Sequence, residues 1–496
     1  MCGILLVQSR HSIDLDHHMA ALELLEPRGP DFVCYEYRNN IFIAQTVLNV
    51  TGTLDFYKQH RRDFLAYNGE LYNHQRFGKF GTDTELVYQA VIDQPELKFK
   101  YFEGAWAWAY TNFDTVKYAT DPQGERCLYR YQDRDILIVC SDVAPILQYR
   151  NQGIDVKPYT EKHWPMRRAT PWRGIERIAP GVMHTTNGNA KLDSIFDWQQ
   201  PSNITTADQA WEEFLPLWQK TLREMTPKEP VGLAFSGGLD SSVILCNTQL
   251  AHLYTVNIGQ RDPVAPRVKE FLTTQEQQKL VMLDMDVKTW AKDYQTIEQR
   301  TCMPIQSWSF VGQWHIAKHC RERVLFTGVG ADELFGGYPV YQTNNISPYS
   351  KFAPDDAVAA QDWQQCLAMY DGDTKPATLL MDYLTQVSAV DMRGVDTLTM
   401  AHGIEPRSPF CHPNIVKFAL NLPWHLRVGK QLIRRLFLQR WSQKLILPKQ
   451  GFTGFCNDAY AYLGIDIPRH ADRAQDWKNI VQATFANKFS HQTILA

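Results

Sequence analysis

The sequence predicts an α/β protein in two parts: a β-rich first part, then a doubly wound parallel sheet. Three observations predict it. Residues 41–48, 63–67, 105–111, 116–120 and 136–141 are apolar or alternating, strand-like runs. From residue 231 onward, strand-like runs alternate with helix-like stretches, which implies a parallel sheet with its ligand at the strand carboxyl ends. Between these parts, residues 185–208 are polar and carry Pro, Asn and Thr, as linkers do. The domains are therefore placed at residues 1–200 and 201–496.

Composition narrows the function. A chain of 496 residues is long enough for two or three domains with real cores. Hydrophobic content of 44% and charged content of 21% are ordinary for a globular protein. A net charge of −3 argues against nucleic acid or anionic membranes as general partners. No run approaches the ~18 apolar residues of a membrane span, and the start lacks a secretory pattern. Ten cysteines are scattered without CxxC pairs, which favours a reduced, cytoplasmic setting.

The first part opens Met1-Cys2-Gly3-Ile4. A small second residue favours removal of Met1, which would make Cys2 the first residue. Its α-amine, with a pKa near ~7.7–8.0, would then lie within reach of its own thiol as a base. The alternative is an ordinary cysteine beginning a buried strand. Arg28-Gly29-Pro30-Asp31 reads as a turn. Asn68-Gly69-Glu70 also reads as a turn, offering a side-chain donor and a glycine N–H for an oxyanion hole, or else a plain hairpin. Gly81-Thr82-Asp83 precedes a predicted helix over residues 85–92, where Asp83 would cap the helix or bind a substrate ammonium.

The second part begins with a predicted helix over residues 210–225, with Trp211, Phe214, Leu215, Trp218 and Leu222 at helical spacing. An apolar run at residues 231–234 then enters Phe235-Ser236-Gly237-Gly238-Leu239-Asp240-Ser241-Ser242 and a helical stretch to residue 250. Two glycines, three serines and an aspartate before a helix suit a phosphate: backbone N–H groups and hydroxyls donate, and Asp240 can hold magnesium. The bland alternative, a tight strand–helix turn, needs one glycine. No Gly-Lys-Ser/Thr follows, so this is not a Walker loop. Further strands are expected at residues 253–258, 280–283 and 324–326, with a helix near 311–320. The last strand enters Thr327-Gly328-Val329-Gly330-Ala331-Asp332-Glu333, which a parallel sheet could place beside the serine loop. Asp240 and Asp332 would then share Mg²⁺ on a triphosphate; otherwise Asp332 caps a helix.

These motifs, in this order, resemble class II glutamine amidotransferases followed by the asparagine synthetase family of ATP pyrophosphatases, over nearly the whole chain. The first match rests on Met1-Cys2-Gly3-Ile4, Arg28-Gly29-Pro30-Asp31, Asn68-Gly69-Glu70-Leu71-Tyr72-Asn73, Gly81-Thr82-Asp83 and Asp121-Pro122-Gln123-Gly124. The second rests on the two loops, Gly403-Ile404-Glu405-Pro406-Arg407-Ser408-Pro409-Phe410, Gly429-Lys430 and Pro448-Lys449-Gln450-Gly451-Phe452. The resemblance implies an αββα N-terminal-nucleophile glutaminase domain. Cys2 would attack glutamine, Asn68 and the Gly69 N–H would hold the oxyanion, and Glu70 and Asp83 would lie around the glutamine amino-acid end. In the second domain Ser236, Gly237, Gly238, Asp240, Ser241 and Ser242 would cradle pyrophosphate. Phe235, Ile258, Thr327 and Gly328 would contact the nucleoside, and Lys449 would neutralise transition-state charge.

The resulting expectation is a cytoplasmic ATP- and Mg²⁺-dependent ligase of asparagine biosynthesis. It would use glutamine or ammonia, ATP and a carboxylate acceptor, with aspartate activated as β-aspartyl-AMP. A homodimer is an allowed assembly. Three departures from the family pattern stand out. Val47 replaces an arginine that binds the glutamine carboxylate, Val329 replaces a glutamate near the reacting carboxylate, and Gln306 and Trp308 replace residues of an Ile-Arg-Ala-Ser segment at the acceptor. His412 also replaces a usual aspartate. Two alternatives follow: the same adenylation chemistry on another carboxylate, or a degenerate ATP- or glutamine-binding regulator.

Overall fold

The computed structural model describes residues 2–50, 63–78, 80–93, 98–150, 168–186, 188–200, 202–258, 268–270, 272–343, 357–446 and 456–465, with 346, 484, 485 and 488. The first part holds eleven strands among these residues. They are β1 (Cys2–Ser9), β2 (Phe32–Arg38), β3 (Ile41–Val47), β4 (Phe64–Leu71), β5 (Gly104–Thr111) and β6 (Val116–Thr120), then β7 (Tyr129–Gln132), β8 (Ile136–Cys140), β9 (Ile175–Arg177), β10 (Val182–Thr185) and β11 (Gly188–Lys191). They form a six-stranded sheet in the order β2-β3-β1-β8-β7-β9 and a five-stranded sheet in the order β11-β10-β6-β5-β4. All pairings between strands of these two sheets are antiparallel.

Strand alternation explains why the sheets stack. Ile4, Leu6, Ile41 and Ile43 of one sheet pack against Phe64, Ala66, Ala107 and Ala109 of the other. The opposite parity, Leu5, Val7, Phe42 and Ala44, packs on helices α1 (Leu15–Glu23) and α3 (Val143–Tyr149). Leu65, Tyr67, Trp106 and Trp108 pack on α2 (Asp83–Asp93). Helices thus cover both outer faces, giving the αββα sandwich.

The second part is built on five parallel strands. They are β12 (Val231–Ala234), β13 (His252–Ile258), β14 (Leu280–Met285), β15 (Val324–Phe326) and β16 (Glu405–Arg407), in the order β14-β13-β12-β15-β16. Val324 and Phe326 face a core shared with α4 (Ala207–Met225) and α5 (Leu239–Asn247). Leu325 faces the opposite core, with α6 (Val287–Thr301) and α7 (Ser309–His319). The sheet is doubly wound.

Several boundaries differ from expectation. Asn68-Gly69-Glu70 is not a turn; it continues β4, with Asn68 opposite Ala107 and Gly69 opposite Trp106. Pairing with β5 overrides the local turn preference of Asn-Gly. The helix expected at 85–92 begins at Asp83, and the helix expected to reach 250 ends at Asn247, because Thr248 turns to extended geometry. Part of the polar stretch 185–208 is the β10–β11 hairpin. No helix among the described residues is long and apolar enough to cross a membrane.

The two parts are joined by buried polar contacts. Asp396 accepts hydrogen bonds from Arg28 Nη2 at 2.7 Å and Arg126 Nη1 at 3.3 Å, all three being nearly inaccessible. Gln123 Nε2 donates to the Cys411 carbonyl at 2.8 Å, and Arg126 Nη2 to the Pro406 carbonyl at 3.0 Å. Asp396→Asn would leave two buried guanidiniums undercompensated and should cost about 3–5 kcal/mol. Urea unfolding should show an earlier first transition; an unchanged midpoint would mean the cluster contributes nothing.

Candidate active sites

The first site lies at one end of the sandwich. Residue parity puts Cys2, Gln45, Val47 and Asn68 on the inner faces, in line with Ile4, Ile43 and Ala66. Cys2 is buried, and its backbone nitrogen donates to Asn68 Oδ1 at 2.9 Å. That engages the oxygen of the Asn68 amide. Its Nδ2 is buried and has no partner among the described residues, so it is a donor held ready for a ligand. Gln45 Nε2 donates to the Cys2 sulfur at 3.0 Å. Gln45 is itself fixed by the Tyr67 carbonyl at 2.9 Å and the Tyr67 N–H at 3.0 Å.

Strand register aims a second donor. Tyr72 N–H bonds the Glu103 carbonyl of the neighbouring chain segment, so even-numbered residues of β4 direct their N–H groups toward β5. Odd-numbered ones point to the open edge of the sheet. There the N–H of Tyr67 is taken by Gln45 Oε1 and that of Leu71 by Asp83 Oδ2, both at 3.0 Å. The Gly69 N–H lies between them on the same side. A side chain at Gly69 would place Cβ 2.4 Å from the Ala105 carbonyl oxygen, so the close strand approach needs glycine.

Asp83 is held by Leu71 N–H and by Tyr67 Oη, each at 3.0 Å, and burial raises its carboxyl above the usual range. Burial also pushes Glu70 upward, while Arg407, 3.5 Å from Glu70 Oε2, opposes the shift. Val47 stands opposite Cys2 across β1 and β3 and brings no charge. Arg61 and Arg62, which could substitute for it, lie outside the described residues. Asn68→Ala should lower glutamine turnover by about 10²–10³-fold, the scale of losing one oxyanion donor. Glutamate release would measure it; a loss below threefold would remove Asn68 from that role.

The second site lies at the carboxyl ends of β12 and β15, which are neighbours. Their loops touch: a Cβ on Gly328 would sit 3.1 Å from the Asp240 Cβ and 3.5 Å from Ser241 N. Gly238 caps α5. Ser236 Oγ lies 3.2 Å from Ser241 Oγ and accepts from Gly238 N at 3.2 Å. Ser242 Oγ is buried without a partner among the described residues. Phe235 follows β12 and Ile258 ends β13, both buried, and Thr327 Oγ1 meets Ser408 Oγ at 2.7 Å.

Asp240 and Asp332 do converge, and the group between them is Lys430. Its Nζ lies 2.6 and 2.8 Å from the Asp240 oxygens and 2.7 Å from Asp332 Oδ1. A Cβ on Gly337 would fall 2.1 Å from Asp332 Oδ1 and 2.3 Å from Lys430 Cε, so glycine there lets the pair meet. Two carboxylates that share one ammonium within hydrogen-bond reach fit a divalent cation in donor type and spacing. In the sequence Lys430 stands only in Gly429-Lys430, and nothing local assigns it this place. Lys449 lies outside the described residues.

Among the residues that depart from the family pattern, Val329 packs on the apolar core, and its carbonyl accepts from Cys411 Sγ at 3.4 Å. In the short helix Ala331–Leu334 that follows, burial beside Asp332 pushes Glu333 up to about 8, and Tyr338 Oη donates to it at 2.8 Å. Gln306 is buried in a cavity of about 30 Å³ that Arg393, Phe310 and Tyr129 also line. Neither polar atom of its amide has a partner among the described residues. His412 stacks on Tyr72 and lies near Glu103 and Glu224. Its Nδ1 accepts from Asn414 N, and Arg76 and Lys220 neutralise the two carboxylates, so this group reads as interface packing.

Comparison with known proteins covers both parts. A family model described as glutamine amidotransferase domain matches residues 1–196, and one described as asparagine synthase matches residues 217–463. The chain is 23% identical over 555 aligned residues to "Asparagine synthetase [glutamine-hydrolyzing]" of Cricetulus griseus, covering 99% of this chain and 91% of that protein. It is 22% identical over 409 residues to "Amidase chyE" of Penicillium rubens, covering 73% and 60%. Among solved structures, the glutamine phosphoribosylpyrophosphate amidotransferase of B. subtilis aligns with a TM-score of 0.30 and 14% identity, over 47% of this chain and 60% of its own.

Proposed function

Since the chain belongs to the asparagine synthase family, with an amidotransferase domain ahead of the synthase domain, we propose that it is a glutamine-dependent asparagine synthetase. Residues 1–200 and 201–496 are its two catalytic domains. It converts ATP, aspartate, glutamine and water to asparagine, glutamate, AMP and pyrophosphate through β-aspartyl-AMP. The observation that most supports this is the convergence of Asp240 and Asp332, each in the first turn of a helix that follows a different loop, on one cationic group.

In the first domain the Cys2 thiolate attacks the glutamine amide, and the α-amine exposed by loss of Met1 takes and returns the proton. Asn68 Nδ2 and the Gly69 N–H stabilise the oxyanion, and Glu70 and Asp83 surround the amino-acid end. In the second domain the aspartate side-chain carboxylate attacks the α-phosphorus of ATP, and pyrophosphate leaves on the Ser236–Ser242 cradle. Thr327, Gly328, Phe235 and Ile258 border the nucleoside. Asp240 and Asp332 would hold Mg²⁺, which offsets phosphate charge when bound. Lys430 and Lys449 supply further positive charge at the phosphates. Ammonia from the first domain then displaces AMP.

A second reading keeps the chemistry and changes the acceptor. Val329 brings no proton acceptor, and the unpartnered Gln306 amide faces a cavity shared with Arg393. These features favour a carboxylate other than aspartate. A cytoplasmic location is part of this reading, on ten cysteines scattered without CxxC pairs; a homodimer would be checked by light scattering. The deciding experiment supplies ATP, Mg²⁺, amide-labelled glutamine and aspartate, and follows AMP, pyrophosphate and labelled asparagine. AMP without asparagine would move the assignment to another carboxylate. No AMP with any carboxylate tried would leave a nucleotide- or glutamine-binding regulator.

A further inference from the structure

Arg407 touches both sites at once. It ends β16, and its carbonyl accepts from Thr327 N at 3.0 Å, at the start of the loop proposed to border the nucleoside. The next residue, Ser408, bonds the Thr327 hydroxyl at 2.7 Å. Its guanidinium reaches the opposite way: Nη2 lies 3.5 Å from Glu70 Oε2, and the group sits 5.7 Å from the centre of the Tyr72 ring. Two further contacts pin it. Nε donates to Glu405 Oε1 at 2.7 Å and Nη1 to the Met225 carbonyl at 2.5 Å.

We propose that Arg407 couples the two sites, so that nucleotide bound against Thr327–Gly328 raises glutamine affinity through the Arg407–Glu70 pair. The inference rests on the roles proposed above for Glu70 and for Thr327–Gly328. The bistable element is Glu70. Burial and the nearby Asp83 and Glu405 favour its neutral form, and Arg407, ahead of the chain's N-terminal amine, favours the carboxylate. A carboxylate attracts the ammonium of glutamine; a neutral acid does so far less. Ordering of the Thr327 backbone moves the end of β16, and with it a guanidinium too tightly held to adjust independently.

Thermodynamic linkage makes the idea measurable, because each ligand must tighten the other by the same factor. The protein to use is full-length Cys2→Ala, which cannot turn glutamine over. Calorimetry would give the Kd of glutamine with and without a non-hydrolysable ATP analogue and Mg²⁺, and the Kd of the analogue with and without glutamine. The expected mutual factor is about fivefold or more, the lower end of typical coupling. In the Cys2→Ala background, Arg407→Gln should bring the factor to one while both ligands still bind, and Arg407→Lys should keep part of it. If Arg407→Gln does not fold, Arg407→Lys carries the test: it keeps the charge and loses the Nη contacts, and its factor should fall below the parent's while both ligands still bind. A factor of one in the parent, an unchanged factor in Arg407→Gln or, where that variant does not fold, an unchanged factor in Arg407→Lys would overturn the coupling alone. Failure of either ligand to bind the parent would overturn the functional reading and the coupling with it.

Discussion

Replacing Cys2 with alanine should lower glutamine-dependent synthesis by about 10³-fold or more, the scale of removing a covalent nucleophile. Ammonia-dependent synthesis should stay within about twofold. The split follows from the geometry. Cys2 lies at the end of the sandwich, its nitrogen bonded to Asn68 and its sulfur to Gln45, both of its own domain. Alanine removes the sulfur and keeps the backbone nitrogen that engages Asn68, so the site should remain assembled. Parallel assays with glutamine and with ammonium chloride would show it. Equal loss with both donors would mean that Cys2 supports the fold, and survival of glutamine use would remove it as the nucleophile.

Asp332→Asn should give the mirror pattern. AMP and pyrophosphate formation should fall by about 10²–10³-fold with either donor, comparable to losing one preorganised electrostatic contact. Glutamate release should persist. The carboxylate is buried, hydrogen-bond close to Lys430, and faces the partner carboxylate of Asp240. The amide keeps the shape and removes the charge, so a loss would report electrostatics rather than packing. Pyrophosphate release within threefold of the unchanged protein would sink the assignment of Asp332 to the phosphate site.

Much of the fold was legible because strand parity and helix spacing are local. The inner and outer faces of the sandwich follow from alternation along β1, β3, β4 and β5, and the alternation of strands with helices announced the parallel sheet. The neighbouring positions of the two glycine loops followed from topology, since β12 and β15 are adjacent. What was illegible is long-range. Lys430 meets Asp240 across 190 residues of sequence. Gln45 reaches the Cys2 sulfur only because of the register of β3 on β1. Asn68-Gly69 was misread as a turn because the strongest short-range hairpin signal yielded to pairing with β5. Arg407 belongs to the motif at residues 403–410, but its neighbour Glu70 comes from the other domain.

The Asp396 cluster also sets an order of events during synthesis. Arg28 and Arg126 leave the ribosome well before the aspartate that they share: 270 residues separate Arg126 from Asp396. At usual elongation rates that gap lasts roughly 15–50 s. Throughout it the nascent sandwich carries two guanidiniums destined for burial and a docking face that has nothing to dock on. Glutaminase competence should therefore arrive late, with emergence of the C-terminal half, and a chain stalled before residue 396 would expose that unfinished face to chaperones.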